Sequence, residues 1–149
     1  YGLIGAIGIL AARIAGRLAD KGWARLSTGG FLMTTVFSWT LLYYGQWSLV
    51  AFAIGVVLLD LGIQGAHISN QSEVYRLNPE ARSRLTTGYM ASYFLGGACG
   101  SASSAVAYGI GGWGAVVTLG SSVSILCVVL WVVTELRLPV RRMRHTPNG

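Results

Sequence analysis

From Leu26 to Leu59, and again from Leu85 to Thr134, the chain carries no Asp, Glu, Lys or Arg. A water-facing surface cannot be built from such stretches, whereas one membrane span needs about 20 mainly apolar residues. Each stretch therefore holds most of two spans. The rest of the composition agrees: 11% of residues are charged and 53% apolar, against roughly a quarter charged in soluble chains. An open sheet is excluded because hydrocarbon leaves its edges unbonded. The runs are also too long and too evenly apolar for the alternating strands of about ten residues that build a barrel. The expected fold class is an all-α membrane protein.

Apolar segments at about 1–18, 27–45, 47–71, 86–109 and 114–135 predict five transmembrane helices, with a tail over 136–149. The short connectors Tyr44-Gly45-Gln46-Trp47 and Gly109 to Gly114 are uncharged and flanked by aromatic residues, as interfacial turns tend to be. The eleven Lys and Arg fall in three places. Arg13, Arg17, Lys21 and Arg25 follow the first span, Arg76, Arg82 and Arg84 the third, and Arg137, Arg141, Arg142 and Arg144 the fifth. Alternating spans put all three on one face, and basic excess in short loops marks the cytoplasmic face, so the C-terminus is expected in the cytoplasm. The net charge of +6 then reflects topology, and no nucleic-acid partner is expected. The basic tail either enforces that topology and touches anionic lipid or serves specific recognition.

Cys99 and Cys127 sit in apolar runs with no second ligand type nearby, which predicts small buried side chains and neither metal nor cofactor. The chain opens on Tyr1 and enters an apolar run without a basic leader or a small-residue cleavage site. It is expected to be a piece of a longer protein.

The third segment departs from plain hydrophobicity. Asp60, Gln64, His67 and Gln71 stand at i, i+4, i+7 and i+11, one face of a helix extending roughly 16 Å along it. An ionised carboxylate near the middle of a span costs on the order of 2.5 to 3.5 kcal/mol on insertion scales, so Asp60 must face protein or water. Taking up a proton relieves that cost, which makes Asp60 a candidate for coupling proton movement to a conformational change. His67, two turns along the same face, is the second candidate. The alternative for both is an interhelical hydrogen bond that only holds the bundle together, and such bonds average about 0.6 kcal/mol. Gln64, Asn70 and Gln71 are candidate contacts to water or substrate.

In the fourth segment Gly88, Ser92, Gly96, Gly100 and Ser104 recur every four residues. That edge is nearly bare backbone, suited to close helix packing or sliding. Tyr89 and Tyr93 beside it present rings and hydroxyls either to a ligand or to the membrane interface. Asn78-Pro79-Glu80 ahead of the segment supplies an N-cap, a first-turn proline and a first-turn acid, marking a helix start. The second and fifth segments have few central polar groups beyond hydroxyls, which can bond back to their own carbonyls, and are expected to face lipid.

Gly16-Arg-Leu-Ala-Asp-Lys-Gly22 followed by Arg25, between two spans, resembles the loop signature of the major facilitator superfamily, G-x-L-A-D-R/K with further Gly and basic residues. Leu59 to Gln71, with Ala81-Arg-Ser-Arg-Leu85 and Tyr89-Met-Ala-Ser-Tyr-Phe-Leu-Gly-Gly97, looks like helices ten and eleven of bacterial efflux carriers in that superfamily. The resemblance implies helices eight to twelve of a twelve-helix carrier, part of its C-terminal six-helix bundle, with helices one to seven supplied by the rest of the protein. It places the polar stripe on a cavity-lining helix, the Gly/Ser edge between the two halves, and the plainest spans outermost. It also implies alternating access around a midplane site, with Gly16, Asp20, Lys21 and Arg25 forming a cytoplasmic gate.

The sequence thus points to a secondary active transporter of a bacterial cytoplasmic membrane, a proton-coupled exporter or antiporter for a small organic compound. A non-transporting membrane protein or a fragment without independent activity is the alternative. An intramembrane enzyme is not expected: a single Asp lies within the apolar spans, and neither a nucleotide-binding loop nor a metal-ligand cluster occurs.

Overall fold

A computed structural model describes residues 13, 17, 24–77 and 82–143, with side chains at 13, 17, 26–74 and 83–135. The first expected span, the gate positions Gly16, Asp20 and Lys21, the Arg25 side chain, the Asn78-Pro79-Glu80 helix start and the side chains of the tail lie outside the described residues. Those residues form three helices, α1 (Ala24–Tyr44), α2 (Leu49–Leu77) and α3 (Arg82–Met143), and no strand. Over Leu49–Val74 and Ser83–Glu135, α2 and α3 are long and apolar enough to cross a membrane.

The 62-residue α3 is not one rod. Its backbone leaves the helical region at Gly111 (φ −136°, ψ 17°) and Gly112 (φ 62°, ψ −151°). The second of these pairs is open essentially to glycine alone. The chain reverses there. Tyr89, before the break, lies against His67 of α2. Trp113, just after it, lies at Leu42, and Trp131 packs over Gly29 at the other end of α1. Since α1 and α2 are antiparallel, with Thr28 bonded to Asn70 and Leu42 against Gly55, the four segments run up, down, up and down. The fourth and fifth expected spans are thus the two limbs of α3, 82–110 and 113–143. Chain positions 25, 76, 84 and 137, all basic, share one end of the bundle.

Between α1 and α2 the turn is short and capped. Gly45 N–H donates to the Leu41 and Leu42 carbonyls at 2.8 and 3.2 Å, and the Ser48 hydroxyl accepts from Ala51 N–H at 3.3 Å as the N-cap of α2. Above the turn the two helices approach closely because α2 presents Gly55, Gly62 and Gly65. A Cβ on Gly62 or Gly65 would run into Thr35 or the Phe31 ring. Ser38, Ser69 and Leu42 are sealed in this seam, at 0%, 0% and 2% exposure. Ser27 and Ser69 share a hydroxyl hydrogen bond of 3.1 Å across it.

The second limb of α3 docks on the neighbouring face of α1 through indoles. Trp39 lays its ring over Gly120 and donates to the Ser124 hydroxyl at 2.9 Å, while Trp131 lays its ring over Gly29. Trp113 donates to the Leu42 carbonyl at 2.9 Å and packs on Phe52. This corrects the expectation that the second and fifth segments mainly face lipid. Each leaves one face exposed, with Met33, Phe37, Leu126 and Leu130 on it, and buries the other on its partner. Their hydroxyls do bond back to their own helices, Thr34 to Gly30 and Thr118 to Gly114 among them.

Two substitutions and one control test this arrangement. Gly112→Ala forces a side chain into a conformation costing about 1–3 kcal/mol and is expected to lower the thermal midpoint of the full-length protein in detergent, whereas Gly97→Ala, at an open helical position, leaves it unchanged or slightly raised. Gly65→Leu overpacks the α1–α2 seam against Phe31 by about 1–3 kcal/mol. An unaltered unfolding midpoint for Gly65→Leu would refute the close approach.

Candidate functional site

The four segments enclose a cleft of about 630 Å³. α1 contributes Thr35 and Trp39, and α2 contributes Leu59, Ile63, His67 and Asn70. The first limb of α3 adds Tyr89, Tyr93, Cys99 and Ser103, and the second adds Ser124 and Cys127. Its walls are mainly apolar with a few convergent polar groups, the usual make-up of a small-molecule site.

His67 is the meeting point. Tyr89 Oη lies 2.9 Å from His67 Nδ1 and 3.2 Å from the His67 carbonyl oxygen. A phenol has one proton to give. Donated to the carbonyl, it leaves the oxygen to accept from Nδ1–H; donated to Nδ1, it requires the other tautomer. The Tyr89 ring stacks on the imidazole at 5.4 Å and 25°, and the Tyr93 ring approaches to 4.3 Å at 44°. Because Tyr89 and Tyr93 are four residues apart, both fall on the α2-facing side of their limb. Asn70, one turn beyond His67, accepts a long hydrogen bond of 3.4 Å from the Thr28 hydroxyl.

Of the residues singled out from the sequence, the structure brings His67, Asn70, Tyr89, Tyr93, Gly96, Gly100 and Ser104 together on this cleft. Asp60, Gln64 and Gln71 are half-buried on α2 but do not line it. The reason is rotation. The wall is built from positions 59, 63, 66, 67 and 70, a stripe turned by about 100° from 60, 64, 67 and 71, and His67 sits on the border of both. Among the described residues Asp60 has no hydrogen-bond or ion-pair partner.

The small-residue edge of the first limb is open: a Cβ placed on Gly88, Gly96, Gly97 or Gly100 would meet nothing within 4 Å. Cys99 and Cys127 are exposed free thiols on the cleft rather than the buried side chains expected. Sequence reasoning also missed Trp39, Ser103, Gly120 and Ser124. For Ser103, Gly120 and Ser124 the signal available was the small or hydroxyl character repeated through the two limbs; for Trp39 it was a lone indole in the middle of an apolar segment. The described residues hold no cluster of three His, Cys, Asp or Glu able to bind a metal ion.

No family model matches the chain, and no solved structure matches it. Among curated proteins it is similar to YgaY, an uncharacterized transporter of Escherichia coli, with 46% identity over 120 residues in both strain K12 and strain O157:H7; the matched region is 80% of this chain and 30% of that protein. It is 28% identical over 138 residues to SCO4007 of Streptomyces coelicolor, likewise named as a transporter, a match covering 92% of this chain and 31% of the relative. The chain thus spans about 30% of the length of the curated relatives it matches. With its long apolar helices and their exposed Phe94, Leu95 and Ile110, this is the chain of an integral membrane protein.

Replacing Tyr89 with Phe removes the phenol that ties the first limb of α3 to α2 through His67. The expected cost is about 0.6 kcal/mol and at most about 1.7, read from the unfolding of the full-length protein. The His67 ring nitrogens should shift together in the ¹⁵N spectrum, and an unchanged spectrum would deny the contact.

Proposed function

We propose that the chain is part of a secondary active transporter of the major facilitator type, a proton-coupled exporter working by alternating access in a bacterial cytoplasmic membrane. The observation that carries this reading is the cleft: a chamber of small-molecule size, with His67, Asn70, Tyr89 and Tyr93 converging on it, inside helices apolar enough to lie in a bilayer. Two proteins named as transporters, similar over most of this chain, support a transport role. Their greater length agrees with a carrier in which the remaining helices close the passage.

In this reading the cleft forms one wall of the substrate passage, and the phenol–imidazole contact between α2 and the first limb breaks and reforms as the passage opens. Asp60, about 10 Å along α2 from His67, takes up and releases the coupling proton. The carboxylate tolerates its apolar surroundings when neutral and seeks water or a partner when ionised, so its protonation favours one conformation of the bundle over another. The loop bearing Gly16, Asp20, Lys21 and Arg25 closes the cytoplasmic side, where the C-terminal tail also lies. Chemistry on the substrate is not part of the proposal, and His67 pairs with the Tyr89 phenol rather than with the Cys99 thiol.

Proton-driven flux in sealed proteoliposomes containing the full-length protein tests this. Asp60→Asn is expected to reduce gradient-driven flux by about 5- to 150-fold, the range of a coupling energy of 1–3 kcal/mol, while substrate exchange without a gradient persists. Undiminished coupled flux in Asp60→Asn would remove Asp60 from the mechanism, and absence of any flux in the wild type would remove the transporter.

A further inference from the structure

The chemistry of the cleft walls narrows what can occupy them. Among the described residues no Asp, Glu, Lys or Arg side chain lines the cleft, so this wall offers a charged ligand no counter-ion to offset the loss of its hydration. The rings of His67, Tyr89 and Tyr93 gather at one place on its wall, and Tyr93 is 42% exposed, leaving a face on which a flat ring can stack. Asn70, Ser103 and Ser124 offer neutral hydrogen-bonding groups around an otherwise apolar surface. The cleft measures about 630 Å³. A drug-sized molecule needs about 300–1,000 Å³.

We propose that this cleft binds a small uncharged compound with an aromatic ring system, stacked beside Tyr93 and His67 between the limbs that carry Cys99 and Cys127. The inference rests on reading the cleft as the substrate passage and names the class of substrate. The two thiols report on it, since both are free, exposed and on the cleft, one on each limb of α3.

The experiment uses the full-length protein in lipid nanodiscs, with N-ethylmaleimide as the thiol reagent and labelling at Cys99 and Cys127 quantified by peptide mass spectrometry. The probes are N-phenyl-1-naphthylamine, which is neutral, 8-anilino-1-naphthalenesulfonate, which keeps the rings and adds an anion, a naphthylmethyl-trimethylammonium cation, and ring-free 1-decanol. The neutral arylamine, at ten times its apparent Kd, is expected to slow labelling of both thiols about elevenfold, and the other three to leave it unchanged. Tyr93→Leu raises the apparent Kd by about three- to tenfold, which at the same arylamine concentration leaves a slowing of only about fourfold to twofold, whereas Tyr93→Phe, which keeps the ring, preserves the protection.

Thiols inert to the reagent without any probe would mean that protein fills the cleft, overturning the proposal. Equal protection by the charged analogues, or by 1-decanol, would overturn the assigned class in favour of a less selective or an acyl-chain site. Parallel measurement of proton-driven flux separates the two readings. Protection without flux leaves the binding site standing and removes the transporter, whereas flux without protection removes the site alone.

Discussion

Helices in hydrocarbon gain little from burying apolar side chains against one another, because the lipid tails they displace are equally apolar. What remains is intimate contact and the satisfaction of every polar group, and the α1–α2 seam is built from both. Gly62 and Gly65 bring the α2 backbone against Phe31 and Thr35, and the most deeply sealed side chains are Ser38 and Ser69 rather than large hydrophobes. Every other feature is placed relative to this pair: the second limb of α3 hangs on α1 by its indoles, and the first limb leans on α2 through Tyr89.

Polar atoms are managed locally. Hydroxyls on α1 and both limbs of α3 return to carbonyls three or four residues back, as Thr35, Ser38, Ser92, Ser121 and Thr134 do, and among the described residues no buried side-chain nitrogen or oxygen lacks a partner. Against that background half-buried Asp60 stands apart, and so does a cleft whose hydrogen-bonding groups face inward. Polar groups held without a structural use inside apolar helices are where a membrane protein keeps its function.

The helical class and the reversal near Gly111 were legible in the sequence, since charge-free length and a Gly-rich interruption leave few other structures possible in lipid. The convergence of His67 with Tyr89 and Tyr93 was legible in part, because each pattern of spacing puts its residues on one helix face. What periodicity cannot supply is the rotation of a helix about its axis. The Asp60 stripe and the cleft wall differ by one residue, and only the seating of Gly62 and Gly65 on α1 decides which of the two faces inward. The close seam went unnoticed because Gly55, Gly62, Gly65 and Ser69 do not repeat at a constant interval, whereas the glycines of the regular Gly/Ser edge of α3, which drew attention, stand open among the described residues.

Different contacts hold the two ends of the bundle. The Leu42 carbonyl accepts from both Gly45 N–H and the Trp113 indole, lashing the α1–α2 turn to the start of the limb that follows the Gly111–Gly112 bend. At the opposite end the Tyr89 phenol ties the first limb to α2 through His67. A tilt of the limb about Gly111 and Gly112 would be magnified along its length. From there to Tyr89 is about 33 Å, so a tilt of about 5° would swing the tyrosine by about 3 Å, enough to part it from the imidazole while the bend barely stirs. Any such tilt would thus be felt most at the residues farthest from the bend.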